Sequence, residues 1–150
     1  MIFHRFVDPK TSTYTYLLAN RKGADAIIID SVQENVEEYL QFIGRHQLRL
    51  AMAIDTHMHA DHTTGMGALR DHTGCMTVGH KLNQAAKLSW RVEDGDKIQI
   101  EGIELKVIHT PGHTDDSCCF YEETYGMLFT GDTLLIRGCG RTDFANGDPE

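Results

Sequence analysis

The sequence predicts an α/β fold, with sheets covered by helices, and three neighbouring features carry that reading. Ala24–Asp30 (ADAIIID) is a compact β-branched run, suited to a strand buried on both faces. An amphipathic stretch follows it, with Val32, Val36, Leu40, Ile43 and Leu48 at near-helical spacing. A second short apolar run, Leu50–Ile54, comes next. A strand, a helix and a strand in this order put the two strands parallel.

The remaining elements follow from the same signals. Phe3–Asp8 and Tyr14–Ala19 read as strands around a Pro9-Lys10-Thr11-Ser12 turn. Ser31 and Glu34 have the spacing of a capping box that opens the first helix. Thr64–His72 reads as a short helix closed by Gly74. Cys75–Gly79 reads as a strand and Asn83–Ser89 as weakly helical. Lys97–Ile100 and Glu104–His109 flank Glu101-Gly102 as a hairpin. Ser117–Tyr121 and Met127–Thr130 form a second hairpin across Glu122–Gly126. From Arg137 onward the glycines and Pro149 predict loop.

Composition narrows the function. A chain of 150 residues suits one domain. Fourteen Lys and Arg against 22 Asp and Glu leave a formal charge of −8, which argues against nucleic-acid and anionic-membrane partners. No apolar run approaches the roughly 20 residues of a membrane helix. The start, Met1-Ile2-Phe3-His4-Arg5, lacks the order of a signal peptide, and no transit peptide is visible. Cys75, Cys118, Cys119 and Cys139 show no C-x-x-C spacing, so a disulfide scaffold is not expected. A reducing compartment is: the cytoplasm, or the mitochondrial matrix in a eukaryote. The abnormal count is nine histidines.

Three of these lie in Thr56-His57-Met58-His59-Ala60-Asp61-His62, directly after the Leu50–Ile54 strand. On an extended strand end, His57 and His59 point the same way, and Asp61 and His62 need a turn to converge with them. A metal site at the carboxyl end of a strand is the expected use. Imidazole and carboxylate suit zinc, iron or manganese better than copper(I). Thr110-Pro111-Gly112-His113-Thr114 and Thr130-Gly131-Asp132-Thr133 each follow a strand in the same way. Three strand ends thus carry metal-competent side chains. His4, His46, His72 and His80 are isolated and read as ordinary histidines. His109 ends a strand close to His113 in sequence.

The motifs THMHADH, TPGHT and TGDTL, in this order, resemble the metal motifs of the metallo-β-lactamase superfamily. That resemblance implies an αββα sandwich, here the N-terminal sheet and the start of the second half only. The run Gly131–Phe144, containing Gly138-Cys139-Gly140-Arg141-Thr142-Asp143-Phe144, resembles the persulfide dioxygenase branch. The glyoxalase II branch carries a similar loop, but with a bulky aromatic where Thr142 stands and Gly-Gly where Thr64-Gly65 stands.

The dioxygenase resemblance implies one iron(II) per chain, held by His57, His113 and Asp132 as a 2-His-1-carboxylate triad. It implies oxidation of glutathione persulfide by O₂ and water to sulfite and glutathione. His59, Asp61 and His62 would then either orient the ligands or, as in hydrolytic relatives, hold a second metal. Arg141 is the substrate-binding candidate, a guanidinium for a glutathione carboxylate; the alternative is that it pins its own loop. Cys139 reads as a packed loop residue. Two other readings stand beside this one: a glyoxalase II-like zinc thioester hydrolase, and a non-catalytic metal-binding fragment. Relatives in the family continue beyond the Asp143–Pro149 region, and no Pro-Gly-His follows Asp132 here. The 150 residues therefore read as one domain, incomplete at its C-terminus, with exposed apolar surface that favours homo-oligomers.

Overall fold

The computed structural model describes residues 1–144 and 146–149. Its contacts group the chain into two compact units. The first comprises Met1–Asp55, His59–Val78 and Ile100–Ile103, and the second comprises Thr56–Met58, Gly79–Gln99 and Glu104–Glu150.

The first unit is built on a sheet of strands β1 (Ile2–Val7), β2 (Tyr14–Ala19), β3 (Asp25–Ile29), β4 (Arg49–Ile54) and β5 (Met76–His80), in that order. β1, β2 and β3 are antiparallel neighbours, while β3–β4 and β4–β5 are parallel. The parallel pair is the one expected from the strand–helix–strand order. Ala26, Ile27, Ile28 and Ile29 of β3 are fully buried, which explains its unbroken apolar run. Helix α1 (Val36–Arg45) buries Val36, Tyr39, Phe42 and Ile43, one stripe at helical spacing. The Phe6 ring of β1 meets Tyr39 edge-on at 4.9 Å and Phe42 at 5.5 Å. Truncating such a ring to alanine costs about 3–5 kcal/mol. Helix α2 (Met66–Thr73) ends where expected, on Gly74 at φ 74°, whose N–H donates to the Arg70 carbonyl.

Two local expectations fail for identifiable reasons. The capping box does not form: a 3₁₀ turn, Gln33–Asn35, precedes α1, and the buried Ser31 hydroxyl makes no hydrogen bond. Segment 31–33 is held instead by tertiary partners. The Val32 N–H donates to the Tyr39 hydroxyl, and Gln33 N–H to the Thr63 carbonyl. Those bonds take the donors that a cap would have satisfied. Asn83–Ser89 is not helical either. The Asn83 side chain accepts the Ala85 N–H, and Arg91 donates to the carbonyls of Asn83 and Ala85, a local turn that competes with helix.

The second unit contains an unpredicted strand, β6 (Trp90–Val92), whose Val92 carbonyl accepts from Lys81 just past the end of β5. Its main sheet has β7 (Lys97–Ile100), β8 (Ile103–His109), β9 (Cys118–Glu122) and β10 (Met127–Phe129) in the order β10-β9-β8-β7. β9 pairs antiparallel with both β8 and β10. Both expected hairpins are present, each shifted by about a residue at its ends, the usual scatter of element boundaries. Ile98, Leu105, Val107, Cys118, Cys119, Phe120 and Phe129 are buried here. All four cysteines are free, and Cys139 is exposed rather than packed. Cys139 sits in a loop whose own backbone makes the contacts, leaving its side chain outside. Leu134, Leu135 and Ile136 are exposed together at the tip of a tight turn. Among the described residues, no helix is long and apolar enough to cross a membrane.

Candidate metal centre

Three segments of the second unit bring candidate ligands to one point. Thr56 follows β4, and its carbonyl accepts the Cys118 N–H of β9, which fixes His57 at the sheet edge. β8 runs into the Thr110–Ser117 turn that bears His113, and β10 into the turn that bears Asp132. Nε2 of His57 lies 4.0 Å from Oδ2 of Asp132, and Nε2 of His113 lies 3.3 Å from it. The ligand atoms of the three residues all fall within 4.8 Å of one another. The two imidazoles are 4% and 8% exposed and the Asp132 side chain 47%, so the group opens to solvent on the carboxylate side.

The second ring nitrogens are committed elsewhere. Nδ1 of His113 lies 2.7 Å from the Arg141 carbonyl oxygen. A carbonyl only accepts, so Nδ1 carries the proton and Nε2 keeps its lone pair. Nδ1 of His57 is engaged by the Thr56 hydroxyl at 2.9 Å. Two ring nitrogens and a carboxylate oxygen thus converge, and on His113 the converging nitrogen is the one that keeps its lone pair. Electron-rich atoms gathered this way fit a divalent cation, and such outer partners hold imidazoles in ligating orientation.

Glycines let these segments approach. At Gly131 (φ 49°) a Cβ would collide with the Thr56 side chain and stand 3.3 Å from Nδ1 of His57. At Gly140 a Cβ would land on the Asp132 carbonyl oxygen and stand 2.8 Å from Nδ1 of His113. The Gly140 N–H donates to that same carbonyl at 2.7 Å. One short loop therefore braces two of the three residues: Gly140 holds the Asp132 backbone, and the Arg141 carbonyl holds His113. The Phe144 ring meets His113 edge-on at 5.1 Å.

The Arg141 guanidinium grips the Asp143 carboxylate at 2.5 and 2.6 Å and lies 4.9 Å over the Phe144 ring. It holds the Asp143 carboxyl below its ordinary range, chiefly through those hydrogen bonds. The pair is exposed to solvent.

His59, Asp61 and His62 belong to the first unit, where their ligand atoms also fall within 4.8 Å of one another. The strand ends at Ile54, and His57 and His59 fall into separate groups rather than the single group expected of an extended strand end. Nε2 of His59 meets Asp30 at 3.1 Å, and Nδ1 of His62 meets Asp61 at 2.9 Å. Burial pulls the His59 imidazole down, but Asp30 and then Asp55 and Asp61 outweigh it and lift its pKa to about 9. Asp30, Asp55 and His59 form an overlapping group of three.

Several of these partners were not singled out from sequence. Asp30 could have been: β3 and β4 pair in parallel with Ile29 opposite Ile54, so the residues after both strands emerge side by side. Thr56, Gly140 and the Arg141 carbonyl act through packing and main chain, which carry no residue-type signal. His109 is no ligand in this arrangement. It stacks on His80 at 4.2 Å, and its Nε2 lies 2.9 Å from the Asp115 carbonyl oxygen.

The family model for the metallo-beta-lactamase superfamily matches residues 8–150. The chain belongs to that superfamily. It is 44% identical to the mitochondrial persulfide dioxygenase ETHE1 of Bos taurus, over 100% of this chain and 59% of that protein. It is 33% identical to a hydroxyacylglutathione hydrolase of Idiomarina loihiensis, over 91% of this chain and 52% of that protein. Among solved structures, ETHE1 from Myxococcus xanthus superposes with a TM-score of 0.93 at 43% identity, covering 99% of this chain and 64% of that one. The chain thus spans less than two thirds of the length of these relatives. The superposition bears out the metallo-β-lactamase fold expected from the motifs.

Proposed function

We propose that the chain is the iron-binding part of a persulfide dioxygenase, with one iron(II) held by His57, His113 and Asp132. The observation that carries this is their convergence within 4.8 Å, with both imidazoles fixed through Nδ1. Two nitrogens and one carboxylate are the donor set of a 2-His-1-carboxylate site, and these three residues would hold the iron while the exposed Asp132 side stays open to substrate. The greater likeness to a persulfide dioxygenase than to a hydroxyacylglutathione hydrolase, 44% against 33%, supports the same reading. The family match runs through both units, which supports treating residues 1–150 as parts of one domain.

The overall reaction takes glutathione persulfide, O₂ and water to glutathione and sulfite. Bound iron(II) supplies the one-electron chemistry that lets O₂ react with a closed-shell thiol derivative. The chain's own residues do the rest. His57 and His113 present Nε2 because Thr56 and Arg141 hold Nδ1. Asp132 offsets cationic charge on the open side of the group. Arg141 would exchange Asp143 for a glutathione carboxylate, one two-oxygen acceptor for another, a reading supported by its exposed two-bond grip on Asp143.

A glyoxalase II-like zinc thioester hydrolase is the second reading, favoured by the grouping of His59, Asp61 and His62. O₂ uptake on adding glutathione persulfide to the iron-loaded chain, with sulfite formed in equal amount, is the result expected. Thioester cleavage with zinc bound and no O₂ uptake would replace the first reading by the second. The compartment we propose is cytoplasmic or, in a eukaryote, the mitochondrial matrix, in keeping with a persulfide substrate. Exposed Leu134, Leu135 and Ile136 support self-association.

A further inference from the structure

A buried carboxylate in the turn that carries His113 lies outside the group of His57, His113 and Asp132. Asp116 is 2% exposed, and among the described residues no lysine or arginine pairs with it. Burying a charge without a counter-ion is costly unless hydrogen bonds replace the lost water. Here two neutral donors do so. The Thr114 hydroxyl donates to Oδ1 at 2.7 Å, and the Asn83 amide donates to Oδ2 at 2.8 Å. One carboxylate oxygen thus braces the His113 turn within itself, and the other ties that turn to Asn83.

The two segments differ in how they are anchored. Asn83 sits in a turn held by its own side chain and by Arg91, which donates to the carbonyls of Asn83 and Ala85. Thr114 sits in the turn that carries His113. That turn is closed by Thr110 N–H on the Ser117 carbonyl, and the Thr114 N–H donates to the Ser117 hydroxyl at 3.1 Å. These bonds hold the turn to itself. The Asp116 link holds it to the rest of the second unit. The His113 ring is steered from its other side by the Arg141 carbonyl at 2.7 Å.

We infer that Asp116, acting through Thr114, is a positioning residue that sets the His113 backbone so that Nε2 points at Asp132. This rests on the reading of His57, His113 and Asp132 as the metal ligands. A buried carboxylate suits the task because its two oxygens accept from two directions at once, with stronger bonds than a neutral acceptor would make.

The test is cobalt(II) titration of the metal-free chain, followed by its visible absorption, in the wild type and in Asp116→Ala, Thr114→Val, Thr114→Ser and His113→Ala. Losing an outer partner of a ligand costs about 10–100-fold in metal affinity. Asp116→Ala and Thr114→Val are therefore expected to weaken cobalt binding by that factor and to alter the spectrum. Thr114→Ser keeps the hydroxyl donor and is expected to match the wild type, which a role in packing alone would not produce. If Asp116→Ala fails to fold, the Val and Ser pair at Thr114 still decides. Unchanged affinity and spectrum in Thr114→Val, with binding lost in His113→Ala, would overturn the inference and leave the ligand assignment standing. Unchanged binding in His113→Ala would overturn the ligand assignment itself.

Discussion

Gly140→Ala tests whether the loop after Asp132 is built to bring two ligands together. The added methyl would meet the Asp132 carbonyl oxygen head-on and stand 2.8 and 2.9 Å from Nδ1 and Cγ of His113. Ordinary contact distances for such atoms begin near 3.5 Å. Relief therefore requires the loop, the Asp132 turn or the His113 ring to move by roughly half an ångström or more, each against a hydrogen bond of 2.7 Å. Overpacking of this kind costs about 1–3 kcal/mol. Disturbing the partner of a ligating histidine costs about 10–100-fold in metal affinity as well. Gly138→Ala is the control in the same loop, since a Cβ there meets nothing within 4 Å. Thermal unfolding of the metal-free variants and metal titration of each are the assays. Gly140→Ala is expected to lose both stability and affinity, and Gly138→Ala neither. Equal, small effects in the two variants would refute the close-approach argument.

Four further outcomes follow from other parts of the molecule. Arg141→Ala is expected to raise the apparent KM for glutathione persulfide while kcat and metal content hold, because only the exposed guanidinium is removed and the His113-bonded carbonyl remains; a fall in metal content instead would make Arg141 a pin for its loop. Burial pushes the Cys118 thiol from 9.0 up to about 12, so at about pH 8 a thiol reagent should label exposed Cys139 quickly and Cys118 only on unfolding. Because the folded value is raised, the matching stability is present below pH 9.0 and lost as pH climbs toward about 12, which alkaline melting curves would detect. Burial, then the stacked His109, lowers the His80 pKa from 6.5 against the opposing pull of Asp116 and Asp115. A depressed histidine contributes stability above its unfolded pKa that is lost as pH falls through the folded one. The melting temperature should therefore drop on acidification below 6.5, and less steeply in His80→Gln.

Much of the frame was legible because its signals are local. The β3 run, the β3–α1–β4 order and both hairpins follow from periodicity and turn residues. Gly74 closes α2 by the conformation that only glycine adopts cheaply. Where local and tertiary demands compete, the reading fails. Ser31 and Glu34 have cap spacing, yet Val32 and Gln33 spend their N–H groups on Tyr39 and Thr63. Asn83 looks helical in context, but its side chain captures the next turn. His57, His113 and Asp132 were legible as a candidate group by type and motif, since imidazoles and carboxylates at strand ends can hold a metal. What orients them was not. A carbonyl at Arg141 and the missing side chain at Gly140 have no signature in composition or spacing. The Asp30–His59 pair joins residues 29 positions apart, across the ends of two parallel strands.

Iron content per chain after anaerobic loading tests the central claim most directly, compared across the wild type, His57→Ala, His113→Ala, Asp132→Ala and His59→Ala. The triad predicts one iron per chain in the wild type, almost none in the first three variants, and iron retained with weaker affinity in His59→Ala. Full occupancy in Asp132→Ala, or two irons in the wild type, would contradict it.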